Sequence, residues 1–285
     1  MDKINMENTF ESKEIKHTIE RGIEFIQFKK LLKYPEIRHA YILKTNNMDF
    51  NVKKDFSKIE MVKKNLEKVS EIVGFSYENI LRPDYNHTNN VEIVKIFEGD
   101  EKPSLRGENY KDTDGLITDK ENVVLMSTNA DCNLILIYDP IKKVIANVHA
   151  GWRGTFDKIL KNAIVKMKLE YNCKPEDLIC CFCPSIRKCH FEVDEDVAMQ
   201  CKEIFEYTQS LDDIIIKGNI KDGKQKYYID TVLINKILLK EEGVLFENII
   251  DSDICSICNS DKIHSRRAEG IEFGLGTALI QILPE

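Results

Sequence analysis

The chain's 285 residues are 42% hydrophobic, enough to bury a substantial core in one large domain. A formal charge of −7, with lysines and acids interleaved, leaves no electrostatic case for a nucleic-acid partner. No run approaches the roughly eighteen apolar residues of a membrane span, and the polar N-terminus lacks a basic-then-apolar signal. The cytoplasm is therefore the expected compartment. Nine cysteines, an odd number in a long chain without an export signal, are expected to be reduced thiols.

Residues 1 to about 20 read as a flexible leader, and residues 21–285 as a single domain. Irregular apolar spacing from Ile23 to Leu43 fits short strands. Phe56 to Val73 has helical period, with Ile59, Val62, Leu66, Val69 and Ile72 on one face and Gly74 placed to end the helix. Asn79 to Pro83 reads as a turn, Val91 to Phe97 as a strand and Gly99 to Asp114 as a polar loop. Leu116–Thr118, Val123–Met126, Leu134–Tyr138, Val144–Val148 and Ile179–Phe182 are short β-type runs. Thr155 is placed to cap a helix bearing Ile159, Leu160, Ile164 and Met167. Val197–Tyr207 and Thr231–Leu239 read as helices, the second stopping near Gly243, with a strand at Tyr227–Ile229. Short strands alternating with helices predict a mixed α/β (α+β) fold, without crossovers long enough for a doubly wound sheet or an eight-unit barrel.

Dinucleotide, phosphate-loop and nucleophile-elbow signatures are all absent, and Gly274-Leu275-Gly276 is too short to count as one. The chemistry concentrates instead in Asp131 to Thr155, DCNLILIYDPIKKVIANVHAGWRGT. If its two apolar runs pair through an Asp139-Pro140 turn, Cys132 and His149 meet at one edge of a sheet. His87, just before a strand, completes a His2Cys set with a fourth position left for water or substrate. Zinc suits these mixed donors, with copper as the alternative; an open position on zinc activates water at neutral pH. The plain alternative for each residue is packing in a sheet interior.

Other polar residues divide the same way between chemistry and structure. Asp131 would orient a ligand or accept a proton, or else bond the local backbone. Asp114 reads as a cap at the start of a strand. Arg153 follows Trp152 on a tight turn, where Gly151 and Gly154 permit close backbone approach and the guanidinium could hold an anion. In CPSIRKCHFEVDEDV, Ser185 sits in a turn and Glu192 is a candidate proton carrier or helix cap. Adjacent Cys189 and His190 would point to opposite faces of a strand, which argues against their acting as a pair. In KIHSRRAEG, Ser265, Arg266 and Arg267 supply donors for phosphate or carboxylate, one arginine turned inward and the other at the surface. Cys255-x-x-Cys258 is half a zinc knuckle without a second pair of matching spacing, so buried or redox-active thiols are expected there.

The segments ADCNLILIYDP, NVHAGWRGT, CPSI..CHFEV and HSRRAEG, in this order, resemble the YfiH/YlmD-type family, also called the multicopper polyphenol oxidoreductase or laccase-domain family. Its members include purine nucleoside phosphorylases, and the resemblance runs from about His87 to the C-terminus. It implies a mixed-sheet layered fold of the YfiH type and zinc held by His87, Cys132 and His149. It also implies cytosolic enzymes that cleave adenosine, inosine, guanosine and methylthioadenosine with phosphate, and adenosine deamination is ascribed to the family as well. Matching the arginine motif without gaps places Arg267 on the family's first arginine and Ala268 on its second, so Arg267 is the inward one. Taken together, these readings make Asp131, Arg153, Glu192 and Arg267 the candidate catalytic residues, and Arg153, Ser185, Ser265 and Arg267 the candidate contacts for nucleoside and phosphate. The chain departs from the family at Tyr85 (usually Gln), Cys183 (usually Gly) and His190-Phe191 (usually Cys-Tyr). A blue-copper laccase would need more than the six histidines present. Copper-dependent phenol oxidation and a decayed, metal-containing nucleoside-binding module remain the competing readings. The expected partners are thus small molecules, with neither nucleic acid nor membrane, and the expected state is a monomer or homodimer.

Overall fold

The structure is a computed structural model that describes residues 9–46, 48–52, 56–94 and 110–284. In chain order the first elements are strands β1 (Ile15–Glu20), β2 (Ile23–Phe28) and β3 (Ile37–Ile42), helix α1 (Ile59–Val73), and strands β4 (Ile80–Leu81), β5 (Val91–Ile93), β6 (Gly115–Thr118) and β7 (Val124–Asn129). Strands β8 (Asn133–Asp139) and β9 (Val144–Ala150) follow, then helices α2 (Trp152–Phe156) and α3 (Ile159–Tyr171) and strand β10 (Ile179–Phe182). The last part holds β11 (Glu192–Val193), α4 (Glu195–Phe205), α5 (Leu211–Ile214), β12 (Ile215–Lys221), β13 (Lys224–Ile229), α6 (Thr231–Glu241), β14 (Ile249–Asp251), α7 (Arg266–Glu269) and β15 (Gly276–Ile282).

Two six-stranded sheets stack face to face, ordered β1-β2-β3-β15-β7-β4 and β14-β10-β8-β9-β6-β5. Both are mixed: β4 runs parallel to β7, β5 to β6 and β10 to β14, while the other neighbours are antiparallel. Strand β8 shows how the sequence builds the layers. Leu134, Leu136 and Tyr138 point between the sheets, whereas Ile135 and Ile137 point outward onto α3 and α6. Burying each such side chain contributes roughly 1.5–3 kcal/mol, which holds the register in place. On the outer face of the first sheet, Val62, Leu66 and Val69 of α1 pack on Phe25, Ile42 and Leu279. The result is a helix–sheet–sheet–helix sandwich, the mixed α/β class predicted. A small sheet, β11-β13-β12, is appended beside α4.

The helix over Phe56 to Val73 ends at Gly74, whose φ of 87° suits glycine and whose N–H bonds Ser70 O. Asp139 forms the expected hairpin turn, its Oδ1 accepting from the N–H groups of Ile141 and Lys142. Three expectations change, the first at Asn79 to Pro83, where Ile80 and Leu81 form strand β4 against β7 rather than part of a turn. Ile15–Glu20 is a strand rather than leader, because Arg21 (φ 48°) and Gly22 (φ 78°) make the two-residue turn that pairs β1 with β2; residues 1–8 lie outside the described set. Thr155 is inside α2 rather than at a cap: Gly151 starts that helix, and the buried Thr155 hydroxyl accepts from Asn235 Nδ2. Of the strand expected over Val91 to Phe97, Val91–Ile93 is present and residues 95–97 are outside the described set, as are residues 99–109 of the polar loop. Among the described residues no helix is long and apolar enough to cross a membrane.

Candidate metal centre and adjoining cavity

His87, Cys132 and His149 converge at one end of the second sheet, with their ligating atoms all within 4.8 Å of one another. Antiparallel pairing does most of this: Leu134 sits opposite His149, so Cys132, just before β8, lies beside the end of β9. His87 reaches the same point from the loop before β5, with a left-handed backbone (φ 60°).

Asp114, fully buried at the start of β6, sets the geometry. Its Oδ1 accepts from His149 Nδ1 at 2.8 Å and from His87 N at 3.1 Å. Its Oδ2 accepts from Asn86 N, Thr88 N and Thr88 Oγ1. One carboxylate thus fixes the His87 loop and turns His149 so that Nε2 faces the thiol. Burial would raise the Asp114 carboxyl, but the His149 and Thr88 hydrogen bonds hold it below its ordinary range. Asp114 is more than the strand cap expected from its position. Its sequence signal, an acid before a buried strand, is shared by ordinary caps.

The ring of Tyr85 stacks on His149 at 4.8 Å, and its hydroxyl accepts from Arg82 Nε and Thr128 N. Gly151 is required by proximity: a Cβ there would lie 2.6 Å from His87 Cδ2. At Gly154 a Cβ would meet Thr88 O at 2.5 Å. Burial alone would push the Cys132 thiol up, yet the His149 and His87 imidazoles bring it down to about 6. Burial would likewise lower His149, but the neighbouring thiolate and Asp114 raise it to about 10. A cation would replace the proton shared by this pair. Deprotonated sulfur, two imidazoles and a braced second sphere fit zinc and would also accept copper.

A cavity of about 480 Å³ opens beside the cluster, lined by His87 and Cys132 and also by Asp131, Arg153, Arg266 and Arg267. Trp152, Ile186 and Phe191 supply its apolar faces. Arg153 lies over the Trp152 ring at 4.1 Å. Asp131 is committed to structure: Oδ1 accepts from Ser256 Oγ at 2.6 Å and Oδ2 from Arg267 N at 2.9 Å. Arg267 Nη1 donates to Glu192 O at 2.9 Å. Both arginines of the motif line the cavity and both are exposed, so the expected division into one inward and one surface arginine does not hold.

Three other expected residues do not line the cavity. The Glu192 carboxylate is held on the small sheet by Lys221 Nζ and the Tyr228 hydroxyl. Ser265 is buried as the cap of α7, accepting from Ala268 N, and Ser185 is buried where its backbone pairs with the segment around Cys255. Trp152 and Phe191 were not singled out from sequence, although an aromatic beside Arg153 was the available signal. A second cluster is also present: Cys189, His190, Cys255 and Cys258 place their ligating atoms within 4.8 Å. Cys189 and His190 lie in a turn, where the alternation that separates neighbours in a strand does not apply.

Layered sheets with a His2Cys cluster at one rim, open to an arginine-lined cavity, define a protein of the YfiH/YlmD type. The chain belongs to the family described as multi-copper polyphenol oxidoreductase laccase, whose model matches residues 38–283. A Mus musculus protein named purine nucleoside phosphorylase LACC1 is 27% identical over 226 residues, which are 78% of this chain and 48% of that protein. The chain therefore spans about half the length of this mammalian relative. A Bacteroides thetaiotaomicron protein named purine nucleoside phosphorylase is 30% identical over 217 residues, 75% of this chain and 77% of its own. Among solved structures, YfiH of Bacillus licheniformis shares the fold with a TM-score of 0.80 at 22% identity, covering 95% of this chain and 100% of the other.

Proposed function

We propose that this chain is a zinc-dependent purine nucleoside phosphorylase, acting on adenosine, inosine, guanosine or methylthioadenosine with phosphate. The observation that carries this reading is one cavity that joins the His87–Cys132–His149 cluster to three arginines and three apolar faces. Trp152, Ile186 and Phe191 suit a purine ring, and Arg153, Arg266 and Arg267 make the cavity locally basic in a chain of charge −7. Zinc bound at the cluster would supply Lewis-acid polarisation of the substrate.

Arg267 and Arg153 hold phosphate against C1′ of the sugar. The bond from C1′ to the purine nitrogen breaks, its electron pair leaves with the base, and a phosphate oxygen bonds C1′. The arginines act where positive character develops on the sugar, by keeping the nucleophile oriented and close. Asp131 is a positioning residue, holding the backbone of Arg267. Deamination at C6 would need a free carboxyl group to shuttle protons. Asp131 is the one acid among the described lining residues and both its oxygens are engaged, which favours phosphorolysis.

The test is product analysis with metal-defined protein and a nucleoside panel, with and without phosphate. Free purine and a sugar phosphate formed only when phosphate is present are expected. Inosine made from adenosine without phosphate would replace this reading with deamination. Inert nucleosides alongside copper-dependent phenol oxidation would replace it with an oxidase, and zinc retention without any turnover would leave a binding module.

A further inference from the structure

We propose that Cys189, His190, Cys255 and Cys258 form a second, structural zinc site that clamps two loops of the cavity wall together. The edges of the cluster are those of a coordination polyhedron. Cys189 Sγ lies 3.6 Å from Cys255 Sγ and 4.0 Å from Cys258 Sγ. His190 Nδ1 lies 3.1, 3.6 and 3.5 Å from the sulfurs of Cys189, Cys255 and Cys258. With Zn–S about 2.3 Å and Zn–N about 2.0 Å, a tetrahedral Cys3His site has S–S edges of about 3.8 Å and S–N edges of about 3.5 Å. All nine cysteines are free thiols.

Fold topology brings the two halves together. Strands β10 and β14 are parallel neighbours, so the loops that follow them leave the same end of the sheet. Their pairing continues past the strands, with Ser185 N donating to Ile254 O and Ser256 N to Ser185 O. The adjacent Cys189 and His190 then face the Cys-x-x-Cys turn of the second loop. Four protein ligands complete a tetrahedral shell and leave no position for substrate, which marks the site as structural. None of the four lines the cavity, but each loop leads to its wall: Ile186 and Phe191 flank one pair, and Arg266 and Arg267 follow the other. The bond from Arg267 Nη1 to Glu192 O spans the same two loops. A clamp here fixes the arginine helix against the Phe191 face.

Zinc content reads this site without any turnover assay. The full chain, purified under reducing conditions, is expected to carry two zinc ions by elemental mass spectrometry. Cys258→Ser and Cys132→Ser should each lose one, the double variant both, and His190→Cys should keep two. The melting temperature should fall in Cys258→Ser. One ion or fewer in the wild-type chain, lost with Cys132→Ser, would overturn the assignment. So would an unchanged metal content in Cys258→Ser, or a disulfide among these cysteines in reduced protein. If Cys258→Ser does not fold, cobalt titration of Cys132→Ser decides. One equivalent with intense thiolate-to-cobalt charge transfer and tetrahedral ligand-field bands supports the site; their absence refutes it.

Discussion

Replacing Asp114 by Asn tests whether the metal centre is built by its buried carboxylate. The carboxylate accepts five hydrogen bonds: from His149 Nδ1 and His87 N on Oδ1, and from Asn86 N, Thr88 N and Thr88 Oγ1 on Oδ2. An amide keeps one acceptor oxygen. If it stays against His149, the new NH2 group faces the backbone N–H groups of Asn86 and Thr88, and two donors lose their partner. At roughly 1–3 kcal/mol for each unsatisfied donor, reduced because this loop is partly exposed, the cost is about 2–4 kcal/mol. If the amide flips, the Asn86 and Thr88 N–H groups keep their acceptor, the His87 N–H and His149 lose theirs, and the lost orientation of His149 costs about 10–100-fold in metal affinity. Chelator competition and thermal melting together should therefore show either a melting point lower by roughly 6 °C, with the oxygen kept on His149, or at least a tenfold weakening of zinc binding, with the amide flipped. A variant that matches wild type in both would refute the role of this carboxylate in building the centre.

Gly151→Ala should abolish zinc binding at the His87 cluster while leaving the circular dichroism spectrum unchanged, since its Cβ would press on His87 Cδ2 at 2.6 Å. Arg267→Ala should raise the phosphate KM about 10–100-fold, the worth of one charge-assisted hydrogen bond, with the nucleoside KM changed less than about threefold; initial rates at varied phosphate check this. Asp251 is held down to about 2 from 3.8 because Arg187 and Lys236 overcome the opposing effect of burial. A depressed carboxyl stabilises the fold above its unfolded pKa, and that contribution, about 2 kcal/mol, is lost as pH falls from about 4 to about 2. Asp251→Asn should flatten the fall of the urea midpoint across that window.

What was legible in the sequence was local. The hairpin of β8 and β9 could be read because Leu134 to Tyr138 and Val144 to Val148 are continuous apolar runs joined by an Asp-Pro turn, and it carries Cys132 and His149 to one edge. The α1 period and its stop at Gly74 were equally plain. Strand β15 was not read, although it lies between β3 and β7 at the centre of the first sheet. Its buried Thr277 and Gln281 look out of place locally; their partners, Ser127 O and the Ser76 hydroxyl and N–H, are far away in the chain. Edge strands such as β1 and β12 alternate too weakly to announce themselves. In the site, residue type and spacing singled out the His2Cys set, but not the roles of Glu192, Ser185 and Ser265, which depend on where the small sheet and α7 dock. Cys189 and His190 were set aside by a rule for strands that a turn does not obey.

The mixed topology of the second sheet accounts for the convergence of so many distant residues. Strands β6 and β8 begin at the rim where β9, β10 and β14 end, because Gly115 pairs with Val148, Asn133 with Ala150, and Phe182 with both Ile135 and Asp251. Residues just before β6 and β8 therefore meet residues at the ends of the other three: Asp114 and Cys132 meet His149, and the loops after β10 and β14 bring Cys189–His190 to Cys255–Cys258. Register is then the determinant of the chemistry. A slip of β8 by one residue against β9 would turn Leu134, Leu136 and Tyr138 out of the inter-sheet core and carry Cys132 away from His149 in the same movement. The hydrophobic burial that fixes the sandwich is thus also what holds the thiolate within reach of its imidazoles.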